Sequence, residues 1–405
     1  MLEGKKIGLL VTGGIAAYKV ADLARRLIKA GAQVRVAMTQ GAQAFITPLT
    51  LQTLTKQAVL VDVFDEFDPT NVQHIEFAQW LDLAVVVPAT ANTIGNIANG
   101  LAPDIVSSVA LALPRPGVIA PAMNDNMYAN PATQRNLQQL VQDGWTIIEP
   151  EVGFLAEGYE AKGRLADLDQ IVDSLKLTLA RRELPQYLAG KRVIVTAGGT
   201  IERIDPVRYL SNDSSGKMGY ALAQAATWYG ADDVMLITTK RLPLAPGIQA
   251  EYVESAREMQ ALLEAKYEDT DYVVMAAAIS DYRVAHPEAQ KMKRSGQVGE
   301  TFQLELLENP DILQGLGQKK THQVLIGFAA ETQEVLRYAR EKLVKKRADW
   351  IVANDVSQAD SGFNVDTNQV TMLHQDGASY AFNLMSKLDT AVNIWGTIYE
   401  HKDEV

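Results

Sequence analysis

Two kinds of residue in this chain stand where chemistry could be done. The first are glycines and small polar groups at the ends of apolar runs. Gly13 and Gly14 in "VTGGIAAYK" make a turn that opens a helix. Free backbone N–H groups there suit an anion, although a tight connection uses the same residues. Thr90, Asn92 and Thr93 in "PATANTIGNIANG" close the run "LDLAVVV". N-capping explains one of them; three together point to a ligand. Residues 121–136, "PAMNDNMYANPATQRN", follow "GVIA" and are more polar and turn-prone than a connecting loop requires. The second kind are charged or titratable. His74 precedes an amphipathic segment and, read alone, is a surface or capping residue. "REKLVKKR", which carries Lys342 and Lys346, reads on charge alone as a solvated helix face. Asp281 after "MAAAIS" serves equally well as a cap, and Asn212 as a left-handed turn residue. "DSSGKMG" is not a Walker A loop, because Met218 follows Gly216-Lys217 where Ser or Thr is needed.

Several chemistries fall away. The chain has no cysteine, which removes disulfides, thiolate metal sites and Cys nucleophiles. Its five histidines, His74, His286, His322, His374 and His401, show no zinc-motif spacing. A net charge of −11 opposes non-specific nucleic-acid binding. No window approaches the ~18 apolar residues of a membrane span. The opening "MLEGKKIGLLVTGG" lacks a signal-peptide cleavage pattern. A cytoplasmic protein with neither membrane nor nucleic-acid partners is expected.

The elements that must position these residues repeat a plan. "KKIGLLVTGGIAAYKVADLARRLIKAGAQVRVAMT" reads as strand, glycine turn, helix, strand. Ile7 to Val11 are continuously apolar, as in a strand buried on both faces. Val20, Leu23, Leu27 and Ile28 recur at helical spacing, and Gly31 stops the helix. The plan returns in "GKRVIVTAGGT" and "MGYALAQAATWYGADDVMLITT". The expected fold is α/β: two three-layer Rossmann-like domains with mainly parallel sheets. Their limits are set at 1–182 and 189–405, with Pro185 in the break. Ligands of such sheets bind beyond the carboxyl ends of the strands, where "VTGGIAA", "VVPATANT", "PAMNDNMY" and "MAAAISDYR" fall.

Taken together the motifs resemble a known family. "VTGGIAAYK", "HIEFA", "PATANTIGNIANG" and "PAMNDNMY" resemble the homo-oligomeric flavin-containing cysteine decarboxylases, whose fold is flavodoxin-like. "SNDSSGKMGYALA", "AAAISDYR", "KMKR", "ENPDIL", "GFAAET" and "IVANDVS" resemble phosphopantothenate–cysteine ligases. In this order, over nearly the whole chain, they resemble the bifunctional coenzyme A biosynthesis proteins. The resemblance implies FMN in the first half, with Gly13, Gly14, Ile15, Thr39, Phe45, Thr90, Ala91 and Asn92 as contacts. It implies that Asn124 holds the substrate carboxylate as a neutral donor, weaker than Arg, so that the group can leave as CO2. Oxidising the thiol carbon first gives the electrons released with CO2 a C=S group to enter. His74 would then act as acid or base. The family's clamp has a Cys proton donor; "GFLAEGYEAKGRL" has Glu157 there, suited to the task if burial raises its pKa.

For the second half the resemblance implies a CTP-dependent ligase. Phosphopantothenate forms an acyl-cytidylate that the cysteine amine then attacks. Asn212 would contact the acyl-cytidylate, and Lys291 would be the catalytic cation. Asp281 would hold Mg2+ or the ribose. Ala276, Ala277, Asn309, Pro310, Asp311, Ile312 and Phe328 would frame the nucleotide, and Lys342 and Lys346 would reach its triphosphate. The small-molecule partners would be 4′-phosphopantothenate, cysteine and CTP. The first domain would assemble as trimers and the second as dimers. Two other readings stay open: an NAD(P)-dependent oxidoreductase, against which the missing G-x-G-x-x-G counts, and a flavin-binding regulatory protein.

Overall fold

The computed structural model describes residues 1–64, 72–293, 303–331, 333–355, 362 and 364–403. Arg294 of "KMKR", Thr332 of "GFAAET" and Val356 and Ser357 of "IVANDVS" lie outside them. The chain divides into two compact units, Met1–Glu183 and Leu184–Val405.

The first unit is built on strands β1 (Lys6–Val11), β2 (Gln33–Met38), β3 (Val59–Leu60), β4 (Leu83–Ala89), β5 (Val118–Pro121) and β6 (Thr146–Ile147). They form one sheet in the order β3-β2-β1-β4-β5-β6, every pair parallel. Without the two-residue edge strand β3 the order is the 2-1-3-4-5 of flavodoxin-like sheets. Helices cover both faces, so β4 has no polar side and every residue of it is buried. A hairpin of β7 (Glu151–Phe154) and β8 (Glu160–Arg164) stands apart from the sheet. Helix Leu168–Glu183 closes the unit.

In the second unit the strands are β9 (Arg192–Ala197), β10 (Ile201–Arg203), β11 (Tyr209–Ser211), β12 (Asp233–Thr238), β13 (Ile248–Tyr252), β14 (Tyr272–Met275), β15 (Tyr282–Val284), β16 (Leu306–Glu308), β17 (Val324–Glu331), β18 (Trp350–Asp355), β19 (Thr367–Asn368), β20 (Val370–His374), β21 (Ser379–Ala381) and β22 (Met385–Ser386). The main sheet runs β13-β12-β9-β14-β17-β18-β20-β21. Its first six strands are parallel, and β20 and β21 add an antiparallel edge. The reversal beside β9, between β12 and β14, is a topological switch point, where open α/β sheets leave a crevice. The C-terminal helix Lys387–Asp403 packs on helix Lys217–Trp228. Its Trp395 is fully buried and donates its indole N–H to Leu222 O at 3.0 Å. Among the described residues no helix is long and apolar enough to cross a membrane.

Candidate functional site

The loops after β1, β2 and β4 meet at one end of the first sheet. The Gly13 position, 2.9 Å from the Gly41 carbonyl carbon where a Cβ would stand, shows how closely the first two loops touch. A side chain there would collide with backbone, so only Gly fits. Thr39 caps the 3₁₀ turn Gln40–Ala44, accepting from Ala42 N at 3.2 Å. Thr90 caps helix Ala91–Ala98, accepting from Thr93 N at 3.4 Å. Thr12, which sequence reasoning passed over as a strand-end residue, ties the loops together. Its fully buried hydroxyl donates to Pro88 O at 2.5 Å and accepts from Thr90 N at 3.1 Å. The expected signal was only a hydroxyl inside an otherwise apolar strand end. Ile15 and Phe45 stand 57% and 43% exposed beside these loops, giving apolar surface next to backbone donors.

This tie is open to test. Thr12→Val removes the donor and leaves the Thr90 N–H without its partner. The unit should lose about 1–3 kcal/mol of stability, read as a lower thermal midpoint, together with a lower fraction of any cofactor bound at these loops.

Asn124 and Glu157, 33 residues apart in the chain, are neighbours in space. Asn124 caps helix Asp125–Ala129, its Oδ1 accepting from Asn126 N at 2.9 Å. Its Nδ2 donates to Glu157 Oε1 and to Tyr159 Oη, both at 3.0 Å. Tyr159 in turn donates to Asp125 Oδ1 at 2.6 Å, and this bond holds its phenol above the ordinary tyrosine pKa. The β7–β8 hairpin brings Glu157 there. Gly163, at φ +153°, has its missing Cβ position 2.2 Å from Met123 O, and its own carbonyl accepts from Met123 N at 3.0 Å. Any side chain at 163 would push the hairpin off the Asn124 segment. Glu157 itself is exposed, so the burial expected of it is not supplied by this chain's own atoms. His74 is the second residue of helix Gln73–Trp80; it is half-buried, and its Nδ1 has no hydrogen-bond partner.

At the corresponding end of the second sheet lies a cavity of about 900 Å3. Asn212, Ala276, Ala277, Asp281, Asn309, Pro310, Asp311, Ile312, Phe328, Lys342 and Lys346 all line it. Local bonds hold its rim: Asn309 donates from its backbone N to Asp281 O at 2.7 Å and from Nδ2 to Ser280 O at 2.9 Å. Asp311 caps helix Ile312–Lys319 through Gln314 N at 3.1 Å and pairs with Lys346. Lys342 and Lys346 lie one turn apart on helix Val335–Lys346, so both ammonium groups can serve one face. Lys342 donates to Phe328 O at 2.7 Å. Burial pushes Lys346 below the ordinary lysine pKa, with the Asp281 carboxylate acting in the opposite sense. The solvated-face reading of "REKLVKKR" thus gives way to a cationic wall.

Lys291 is not among the lining residues. It lies next to Met292, which is held by Asp205 and Arg208: Arg208 Nη2 donates to Met292 O at 2.9 Å. Lys387, by contrast, lines the cavity and was not anticipated. It is 6% exposed, donates to Gly362 O at 3.0 Å, and is pushed below the ordinary lysine pKa first by burial and then by nearby Lys217. A readable signal existed: Lys387 is the first residue of its helix, where a cation opposes the helix dipole unless an anion is to be met there. Asn354 and Asn368 also reach the cavity.

The geometry therefore offers an edge of backbone donors in one unit and a cationic, amide-lined cavity in the other. Comparison with known proteins gives each unit a family. Residues 1–180 match the Flavoprotein family, and residues 188–401 match the DNA/pantothenate metabolism flavoprotein C-terminal domain. The Coenzyme A biosynthesis bifunctional protein CoaBC of Bacillus subtilis (strain 168) is 45% identical over 97% of this chain and 96% of its own. Its namesake from Escherichia coli (strain K12) is 43% identical over 93% of this chain and 92% of its own. That of Vibrio cholerae serotype O1 is 41% identical over 98% and 99%.

Proposed function

The chain belongs to the family of coenzyme A biosynthesis bifunctional proteins, and on that footing we propose that it joins cysteine to 4′-phosphopantothenate and decarboxylates the product to 4′-phosphopantetheine. The observation that carries this reading is the convergence in one cavity of Asn212, Asp281, Lys342 and Lys346, drawn from separate motifs of the chain.

CTP would lie in that cavity. Lys342 and Lys346 would neutralise its triphosphate, and the Asn309–Phe328 rim would surround the nucleoside. Asn212 would hold the acyl group with a neutral amide, so that cysteine's amine meets an uncharged neighbour. Asp281 fits a Mg2+ ion, which takes one or two carboxylates and completes its shell with phosphates and water. Lys387 adds a further cation on the same lining. Lys291 stays assigned to the ligation by its motif alone.

In the first unit the chain is a flavoprotein, and FMN fits the edge described above. Gly13, Gly14, Ile15, Thr39, Phe45, Thr90, Ala91 and Asn92 would hold it, the loop N–H groups and capped helix start receiving the phosphate and the exposed Ile15 and Phe45 supplying apolar contact. Bound FMN supplies a two-electron acceptor and donor. Asn124 orients the substrate carboxylate, His74 stands as acid or base through its unpartnered nitrogen, and Glu157 delivers the last proton to carbon.

One assay tests the whole reading. Incubation with 4′-phosphopantothenate, cysteine and CTP should release pyrophosphate and CO2, and a CTP-free control should release neither. In the Glu157→Ala protein CO2 should still appear, but the product should be two hydrogens short by mass. An inert wild-type mixture overturns the function, and a full-mass product at normal rate overturns the role of Glu157.

A further inference from the structure

We propose that His374, Asp376 and His401 form a binding site for a borderline divalent transition-metal ion such as Zn2+, at the opposite end of strand β18 from the cavity. His374 ends β20, Asp376 sits in the turn to β21, and His401 lies near the end of the C-terminal helix. These positions have no zinc-motif spacing, so only folding brings them together. Their donor atoms all lie within 4.8 Å of one another.

The separations are those of a shared ion. His374 Nδ1 is 2.9 Å from Asp376 Oδ1, and His401 Nε2 is 3.2 Å from Asp376 Oδ2. Two ligands of a tetrahedral ion bound at ~2.05 Å stand about 3.4 Å apart. The decisive group is His401. Its side chain is only 8% exposed, and Nε2 makes no hydrogen bond, its 3.2 Å approach to the Asp376 carboxylate being an ion pair only when the ring is protonated. In the neutral ring, a buried nitrogen without a hydrogen bond carries a cost unless something takes its lone pair. The other ring nitrogen is already engaged, with Nδ1 3.0 Å from Tyr380 Oη. Such a partner fixes the tautomer and turns Nε2 toward a metal. His374 Nδ1 would give up a weak 3.4 Å contact from Asp376 N.

Packing holds the rings in place. The two imidazoles are 4.1 Å apart between centroids, and Trp350 lies against both at 4.4 and 5.1 Å. Asp376 is half exposed, which leaves a route for the ion and room for water as a fourth ligand. Two imidazoles and one carboxylate favour Zn2+, Ni2+ or Co2+ over Mg2+ or Ca2+. Trp350 opens β18 and Asn354, four residues on, lines the cavity, so the site is on the order of 13 Å of strand away from it. The ion would clamp the C-terminal helix to the β20–β21 turn and take no part in ligation.

The test uses the full chain, stripped with EDTA and exchanged into a non-coordinating buffer without nucleotide. Zn2+ alone is added, and bound metal is measured by equilibrium dialysis alongside the thermal midpoint. The wild type should bind one more Zn2+ per chain than Asp376→Asn and His401→Gln, and should gain several degrees where those two variants gain none. His286→Gln, at an exposed position, should behave as wild type. Asp376→Asn alters a half-exposed turn residue, so it decides the matter if His401→Gln fails to fold. Equal Zn2+ binding by wild type and Asp376→Asn, or no binding by wild type, overturns the proposal.

Discussion

Asn124→Asp should leave ligation intact and slow decarboxylation by about 10²–10³-fold, the loss seen when one aimed donor is removed from a reacting centre. The substitution separates structure from chemistry. Asp is as good an N-cap as Asn, so the bond from Asn126 N and the helix Asp125–Ala129 survive. What changes is Nδ2, the atom that donates to Glu157 and Tyr159. In its place stands a second carboxylate beside Glu157, which repels both that residue and an anionic substrate. Rapid-quench mass spectrometry should find 4′-phosphopantothenoylcysteine accumulating at the wild-type rate of ligation. Decarboxylation by Asn124→Asp at the wild-type rate would remove the amide from the mechanism.

The second large effect belongs to Lys346. Lys346→Met should lower ligation by about 10²-fold, in line with losing a charge-assisted contact worth ~1.5–3 kcal/mol. Asp311 keeps its helix cap through Gln314 N, so the rim should stay folded. The pH dependence gives a finer test. Burial lowers the pKa of Lys346. The useful form is the protonated one, present below that pKa and lost as pH rises through it. Ligation should therefore fall on the alkaline side before an ordinary lysine would titrate. Lys346→Arg keeps its charge throughout and should abolish that limb in a plot of pyrophosphate release against pH. An unchanged limb in Lys346→Arg would place the titrating group elsewhere.

Much of the architecture was legible because the central strands are buried on both faces. Ile7–Val11 and Leu83–Ala89 have no solvent side, and their unbroken apolar runs follow from that. The strand ends were legible for the opposite reason: they are where Gly, Thr and Asn interrupt the run. The β7–β8 hairpin was not readable as strands. It stands off the sheet and alternates weakly, with Val152 and Phe154 exposed, so it lacks the burial that writes a period into sequence. Lys387 and Thr12 escaped notice because each acts through backbone that is distant along the chain. Thr12 answers to Pro88 and Thr90, and Lys387 to Gly362. Lys291 was placed by its motif, and among the described residues it does not line the cavity.

The bond between Asn124 and Glu157 has a consequence for how the first unit loads. The amide that would grip an incoming acid already holds one. Seating is thus an exchange of anions on a single donor, and the displaced Glu157 is left facing a second negative charge. Filling the pocket would in this way release Glu157 from the amide, so that the residue proposed as donor is freed only once substrate is seated.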